Sequence, residues 1–380
     1  MTKKTPSSES ISGFLRSLNE DIEEKIAREH KDSLFDHMPS EHTISDRVRR
    51  YDDPVKHLVR KEAWVKTARR LYQAKGSSLR VLTLPGRHRL EVELYLKEGF
   101  ISPDNGQIYV VGFETSPDVF GLLRTMEPRF LRLYQRDLIE VLSSPGTEED
   151  YKRLAEAFPF DIINLDLTVG IANKTDAPYG PVLQAIRACL KLQGNQTSDW
   201  ALMLTFRADA QDVNQRTLTD LTENFQTNLE QHPLVKEKCY SRHQTENASE
   251  FLAAKPEEAL GRFLAKWIVD QAFFFEWKVQ VCKHIRYDRK YGSGSYPIRK
   301  IVLEFTRERL PGYSLPRRNA QATTWLIDGL VSAVAGSVTE DVGEKIDGLR
   351  RSKPDYVVLI ANEIEELKMR AAGSNGDIVT

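Results

Sequence analysis

The sequence predicts an α/β protein: a doubly wound, mostly parallel sheet with a C-terminal antiparallel hairpin, plus N-terminal and C-terminal helical extensions. Three observations predict it. Short apolar runs alternate with helical stretches from residue 79 to 206, the pattern of parallel strands joined by right-handed crossovers. Two further strand-like runs flank YGSGSY at 291–296, which reads as a hairpin loop. Outside this region the apolar residues fall at helical spacing.

The elements follow in order. In SISGFLRSLNEDIEEKIAREH, Ile11, Phe14, Leu15, Leu18, Ile22 and Ile26 form one stripe, an amphipathic helix that needs a surface to bury against. A second helix starts near Pro54, with Val55, Leu58, Val59, Ala63 and Leu71 as its stripe and proline in its first turn. AKGSS closes this helical extension, residues 1–75. The α/β domain, 76–314, carries strands at LRVLTL (79–84), IYVVGFE (108–114), FLRLY (130–134), DIINLD (161–166) and WALMLTF (200–206). Helices begin near Arg89, Pro117, Glu148 and Pro181, and 210–265 is polar and helical. The C-terminal extension, 315–380, is mostly helical with one apolar run, YVVLIA (356–361), and a frayed end, AAGSNGDIVT.

Composition excludes several classes. The first ten residues hold no apolar run, so no signal peptide is expected, and no window is apolar enough to span a membrane. Cys189, Cys239 and Cys282 stand far apart, which argues against a disulfide framework or structural zinc and suits a cytoplasmic setting. Cys189 falls mid-helix, where a buried structural thiol is expected. Phe273–Phe275 and Trp277 could stack bases, but a run leading into a strand reads better as core. Net charge is −1, yet Arg47–Arg80 holds eleven Lys/Arg against three Asp/Glu, and Arg286–Arg318 nine against three. Segments 47–80 and 286–318 could face nucleic acid, or be solvated helix faces and loops. The helical extensions could dock a protein partner.

In an open α/β sheet, ligands bind beyond the carboxyl ends of the strands, where strand order reverses. Three strand ends carry suitable residues. Leu84, Pro85 and Gly86 form the first turn, leading into Arg87, His88 and Arg89 and a helix N-terminus that attracts anions. This turn has one glycine, so the arginines either hold a ligand or replace it. Glu114 ends the second strand about 28 residues beyond Gly86, where ribose hydroxyls are gripped in this architecture. Asp137, after the third strand, could meet an adenine amino group or cap a helix. Asp166 ends the fourth strand, with Asn164 on the same side, and an irregular Gly- and Pro-bearing segment follows. A substrate group or catalytic acid belongs there; a loop held by Asx turns is the alternative.

Over roughly residues 75–310 these features resemble class I S-adenosylmethionine-dependent methyltransferases. The resemblance implies that Leu84, Pro85 and Gly86 hold the methionyl part of the cofactor, Glu114 the ribose and Asp137 the adenine. Asp166 would orient or deprotonate the acceptor, with Asn164 in support. ETSPDV (114–119) is similar to the family's ribose segment, FDIINLD to its fourth strand, and the hairpin to its inverted last strand. The chain departs from the family in two places. The first loop lacks three spaced glycines, and Asp166-Leu167-Thr168-Val169 stands where base-amino methyltransferases carry Asp/Asn-Pro-Pro-aromatic. NLDLTVG is distantly similar to the Asp-Leu-Asp-Pro-aromatic-Gly segment of tRNA guanine-N2 methyltransferases, without its proline. Two functions follow as expectations: S-adenosylmethionine-dependent methyl transfer, with nucleic acid as an acceptor class, or a catalytically inactive methyltransferase-fold subunit that binds or scaffolds partners. Dinucleotide oxidoreductase, serine hydrolase and P-loop chemistry lack their motifs.

Overall fold

A computed structural model describes residues 54–102, 106–125, 128–144, 149–170, 180–209, 213–291, 294–307, 320–336 and 338–373. They belong to one compact unit, residues 51–380. The helix expected at 11–26, the segment after Gly170, the tip of the hairpin loop and the last seven residues lie outside the described residues.

The described chain opens with helix α1 (Pro54–Val59), which continues through a π-helical stretch (Arg60–Val65) into α2 (Lys66–Lys75). Gly76, at φ 68°, ends α2 in the left-handed conformation, its N–H donating to the Tyr72 carbonyl. Strand β1 (Val81–Thr83) leads to α3 (Leu90–Lys97), β2 (Val110–Phe113) to α4 (Pro117–Thr125), and β3 (Leu131–Tyr134) to α5 (Leu138–Ser143) and α6 (Glu149–Ala157). Then come β4 (Ile162–Gly170), α7 (Gly180–Leu192) and β5 (Trp200–Arg207). Four helices follow, α8 (Gln215–Gln231), α9 (Pro233–His243), α10 (Ala248–Ala254) and α11 (Pro256–Phe274). Asn214 and Asn247 cap α8 and α10 through their side chains, and proline opens α9 and α11.

The hairpin is β6 (Lys278–Tyr291) and β7 (Gly294–Thr306). Helix α12 (Ala320–Val331), a π-helical stretch (Ser332–Gly336), β8 (Thr339–Asp341), α13 (Val342–Ser352) and α14 (Pro354–Gly373) complete the chain. All eight strands form one sheet in the order β3-β2-β1-β4-β5-β7-β6-β8. The first five run parallel, and β7 is antiparallel to both β5 and β6. Strand order reverses between β1 and β4, so that is the switch point of this sheet.

Period-two alternation divides the core. Leu82, Val111, Ile163, Leu202 and Leu303 pack on one face with α5–α12; Val81, Val110, Ile162, Met203 and Val302 pack on the other with α1–α4, α13 and α14. Strands buried on both faces read as continuous apolar runs, which is why WALMLTF contains almost no polar residue. Trp200 stacks on its cross-strand partner Phe305 at 3.9 Å, with Trp277 edge-on at 5.8 Å. Trp277 is buried as expected for core, whereas Phe274 is exposed. Cys189 is fully buried in α7, and burial pushes its thiol up to about 12.

Strands β1 and β2 are shorter than expected, and the boundary that matters most to the site differs in the other direction. Strand β4 does not end at Asp166 but runs on to Gly170, with an irregularity between the two before Gly170 pairs Arg207. Leu167, Thr168 and Val169 have high strand propensity, and β5 offers a partner beyond the point where β1 stops.

Candidate functional site

The register places the expected cofactor residues at neighbouring strand tips. Thr83 lies opposite Gly112, so the turn Leu84–Gly86 leaves the sheet beside Phe113 and Glu114. Gly86 takes a left-handed conformation at φ 58° that L-residues rarely adopt. Pro85 is buried against β2: a Cβ added at Gly112 would meet Pro85 Cγ at 3.2 Å and Leu133 Cδ2 at 2.8 Å. Glycine at 112 is therefore what lets the turn settle onto the sheet.

Glu114 Oε1 accepts from the Ser116 N–H at 2.8 Å. Burial raises its carboxyl above the ordinary value, partly offset by the Ser116 and Thr115 backbone N–H groups. Asp137 caps α5, its Oδ1 accepting from the N–H groups of Ile139 (2.7 Å) and Glu140 (3.4 Å). Phe113 and Tyr134, at the tips of β2 and β3, stack at 5.0 Å.

Arg89 turns inward. It is 1% exposed and left-handed at φ 37°. Its Nε donates to Glu93 Oε1 at 2.7 Å and its Nη2 to the Ala371 carbonyl near the end of α14, at 3.2 Å. This arginine ties the first turn to the C-terminal helix. That helix is also held by Glu363, which accepts from Lys61 at 2.7 Å and from His57 Nε2 at 3.2 Å.

His57 supplies a pH test of this clamp. Burial lowers its imidazole to about 4, against 6.5 when unfolded, despite the hydrogen bond to Glu363. The unfolded chain then binds the extra proton between these values, so stability falls as pH drops from 6.5 towards 4. The loss expected from this group is up to about 3 kcal/mol, read as the pH slope of urea denaturation. His57→Leu should flatten that slope.

On the α1 face, the apolar layer gives way to a polar one at the carboxyl ends of the strands. Asn164 Nδ2 donates to Thr83 Oγ1 at 3.2 Å, and that hydroxyl donates to Glu91 Oε1 at 3.1 Å. One step further out, Asp166, Thr205 and Lys300 follow one another across β4, β5 and β7. Asp166 pairs Lys56 of α1 at 3.8 Å and keeps about a fifth of its side chain accessible. Lys300 Nζ sits 3.7 Å from the centroid of the Trp64 ring.

Charge governs titration here. Burial alone would raise Asp166, but Lys56, Lys300 and Arg60 outweigh it and hold the carboxyl well below the usual range. Burial raises Glu91 to about 7 against the pull of Arg60, and lowers Lys300 to about 7 against that of Asp166.

The structure thus sets Asn164 and Asp166 on one face of β4, and the turn Leu84–Gly86 on the strand next to the one that Glu114 follows. Sequence reasoning missed Lys56, Arg60, Trp64, Glu91 and Lys300. A signal for some existed: Lys56, Arg60 and Trp64 recur every fourth residue, and Lys300 shares a strand face with the buried Ile298 and Val302. The π-helical stretch that carries Arg60 and Trp64 is a further mark, since such stretches favour functional sites.

Many cations of the two basic segments are already committed. Lys61 pairs Glu363, Lys66 pairs Glu62, Arg69 pairs Glu98, Arg70 pairs Glu304, and Lys75 pairs Asp161. Arg286 pairs Asp341, Arg299 pairs Glu257, and Arg307 donates to the Gly194 and Gln196 carbonyls.

No helix among the described residues is long and apolar enough to cross a membrane, and these residues hold no cluster of metal-ligand type. A family model described as PP_RS20740-like matches residues 136–293. No curated protein matches the chain. A solved structure from Pyrococcus horikoshii, described as a "putative transferase", aligns at 12% identity with a TM-score of 0.28, covering 64% of this chain. The chain spans only 63% of that structure's length.

Proposed function

We propose that this protein is an S-adenosylmethionine-dependent methyltransferase whose cofactor lies across the tips of β1, β2 and β3 and whose acceptor approaches Asp166. The observation that carries the reading is a juxtaposition next to the switch point: a left-handed glycine in the turn after β1 and a half-buried carboxylate after the neighbouring β2. The residues fit the group. Leu84, Pro85 and Gly86 would hold the methionyl part, Glu114 the ribose hydroxyls, and Asp137 the adenine amino group. Asp137 engages its helix through Oδ1 alone, so capping does not consume its second oxygen. Bound there, the cofactor supplies an activated methyl group.

The chain's own residues supply position. Asp166 is held ionised by Lys56, Lys300 and Arg60, which makes it a poor base and a good acceptor of hydrogen bonds. Its role is to orient the methyl acceptor, a contribution of proximity and alignment. Asn164 supports the layer beneath it through Thr83. A nucleic-acid acceptor would have to compete with the ion pairs of both basic segments, so its binding should be weak and strongly salt-dependent.

Titration calorimetry with S-adenosylmethionine tests the reading. Glu114→Ala should weaken binding roughly 10- to 100-fold, the worth of a charge-assisted hydrogen-bond pair. No heat at millimolar cofactor sinks it. One observation favours the second reading, a catalytically inactive scaffold: the buried guanidinium of Arg89 is committed to Glu93 and to the Ala371 carbonyl of α14 and is not offered to a ligand. That reading expects no cofactor heat, and light scattering of the co-purified protein would then show a partner.

A further inference from the structure

Among the described residues, the polar layer beneath α1 gathers Lys56, Arg60 and Lys300 around Asp166 and Glu91. Asp166 neutralises Lys56 at 3.8 Å, and Glu91 is engaged by Thr83. Arg60 and Lys300 remain, and among the described residues neither has a carboxylate within ion-pair distance. Arg60 is 5% exposed, and its Nε and Nη1 have no hydrogen-bond partner. Lys300 is 2% exposed and touches only the Trp64 ring face among its described polar and aromatic contacts. The Trp64 Nε1 donor is also buried and has no hydrogen-bond partner. Leaving such groups unmet is costly, and an unpaired buried cation costs most.

These donors are not scattered. Arg60, Trp64 and Lys300 line one shallow crevice with Lys56, Asp166 and Tyr287, open to solvent at its mouth and closed to water between the side chains. We propose that this crevice binds a compact oxyanion, the carboxylate or phosphate group of a small ligand, between Arg60 and Lys300. The crevice has no room for a free water as its side chains stand, so binding requires its lining side chains to part. Guanidinium and ammonium donors are the groups that recognise such oxygens. The site shares Asp166 with the proposed methyltransferase but needs no cofactor, so it names the acceptor class of that reading without depending on it.

Thermal denaturation of the full chain at constant ionic strength tests it, with inorganic phosphate or acetate replacing chloride. A bound oxyanion should raise Tm by about 2 °C for each tenfold increase above its Kd. Lys300→Met and Arg60→Gln should each abolish the shift, whereas Glu114→Ala should keep it. A response to acetate alone assigns a carboxylate, and one to phosphate alone a phosphate. Equal Tm values in all three salts overturn the proposal, as does a shift that survives in both Lys300→Met and Arg60→Gln. Cofactor calorimetry fails or succeeds separately, so the two readings cannot be confused.

Discussion

Arg89→Ala is expected to lower the free energy of unfolding by about 3–5 kcal/mol, the usual cost of breaking a buried ion pair from one side. Glu93, the partner left behind, is buried and already raised above the ordinary carboxylate value by that burial, with Arg89 opposing the rise. Without the guanidinium it would protonate or stay charged without a partner, and either outcome favours the unfolded chain. The same change removes the donor to the Ala371 carbonyl, so α14 should exchange its amide hydrogens faster than the sheet does. Urea denaturation and hydrogen exchange read both effects. Arg89→Leu combined with Glu93→Leu should recover most of the loss, because two apolar groups leave nothing unpaired. A loss below about 1 kcal/mol, within the range of an exposed pair, would mean that the guanidinium is solvated and does not anchor the turn.

Asp166→Asn should cost about 2–4 kcal/mol at pH 7, for the related reason that it breaks the pair with Lys56 and removes the negative charge that offsets Lys300 and Arg60. It keeps the shape of the side chain and removes only its charge. Lys300 makes the effect depend on pH. Its folded value is about 7, against 10.5 when unfolded, so the unfolded chain holds the extra proton between these limits. Stability linked to Lys300 therefore rises with pH from 7 to 10.5, and falls as protons are forced onto the buried amine. Losing Asp166 should push the amine lower still and extend that slope below pH 7. Urea midpoints at pH 6, 8 and 9.5 would show it, and adding Lys300→Met should flatten the profile. A variant as stable as the parent at pH 6 would place Asp166 outside the charge balance of the layer.

The elements were legible because their signals are local. WALMLTF became β5 and FDIINLD became the start of β4 because both faces of a parallel strand are covered, which leaves an apolar run at the expected length. The shared face of Asn164 and Asp166 followed from the two-residue repeat alone. The end of β4 was misjudged at Asp166, since whether a strand continues depends on a neighbour such as Arg207 that lies far along the chain. Asp137 remained open between cap and ligand; its N–H partners decide that it caps, and its second oxygen still permits the other role.

By itself, the sequence determined the alternation of strands and helices, the inverted hairpin and the carboxylate that follows β2. Those rest on periodicity and on turn residues, which act over a few positions. Only the tertiary structure decided what the charges do. Arg89 meets a carbonyl 282 residues away, and Lys56 meets Asp166 across the top of the sheet. Lys300 is buried because β7 pairs β5 in the register that sets it beside Thr205. Charge pairing is a property of position in space, and position is fixed by long-range register that no local pattern records.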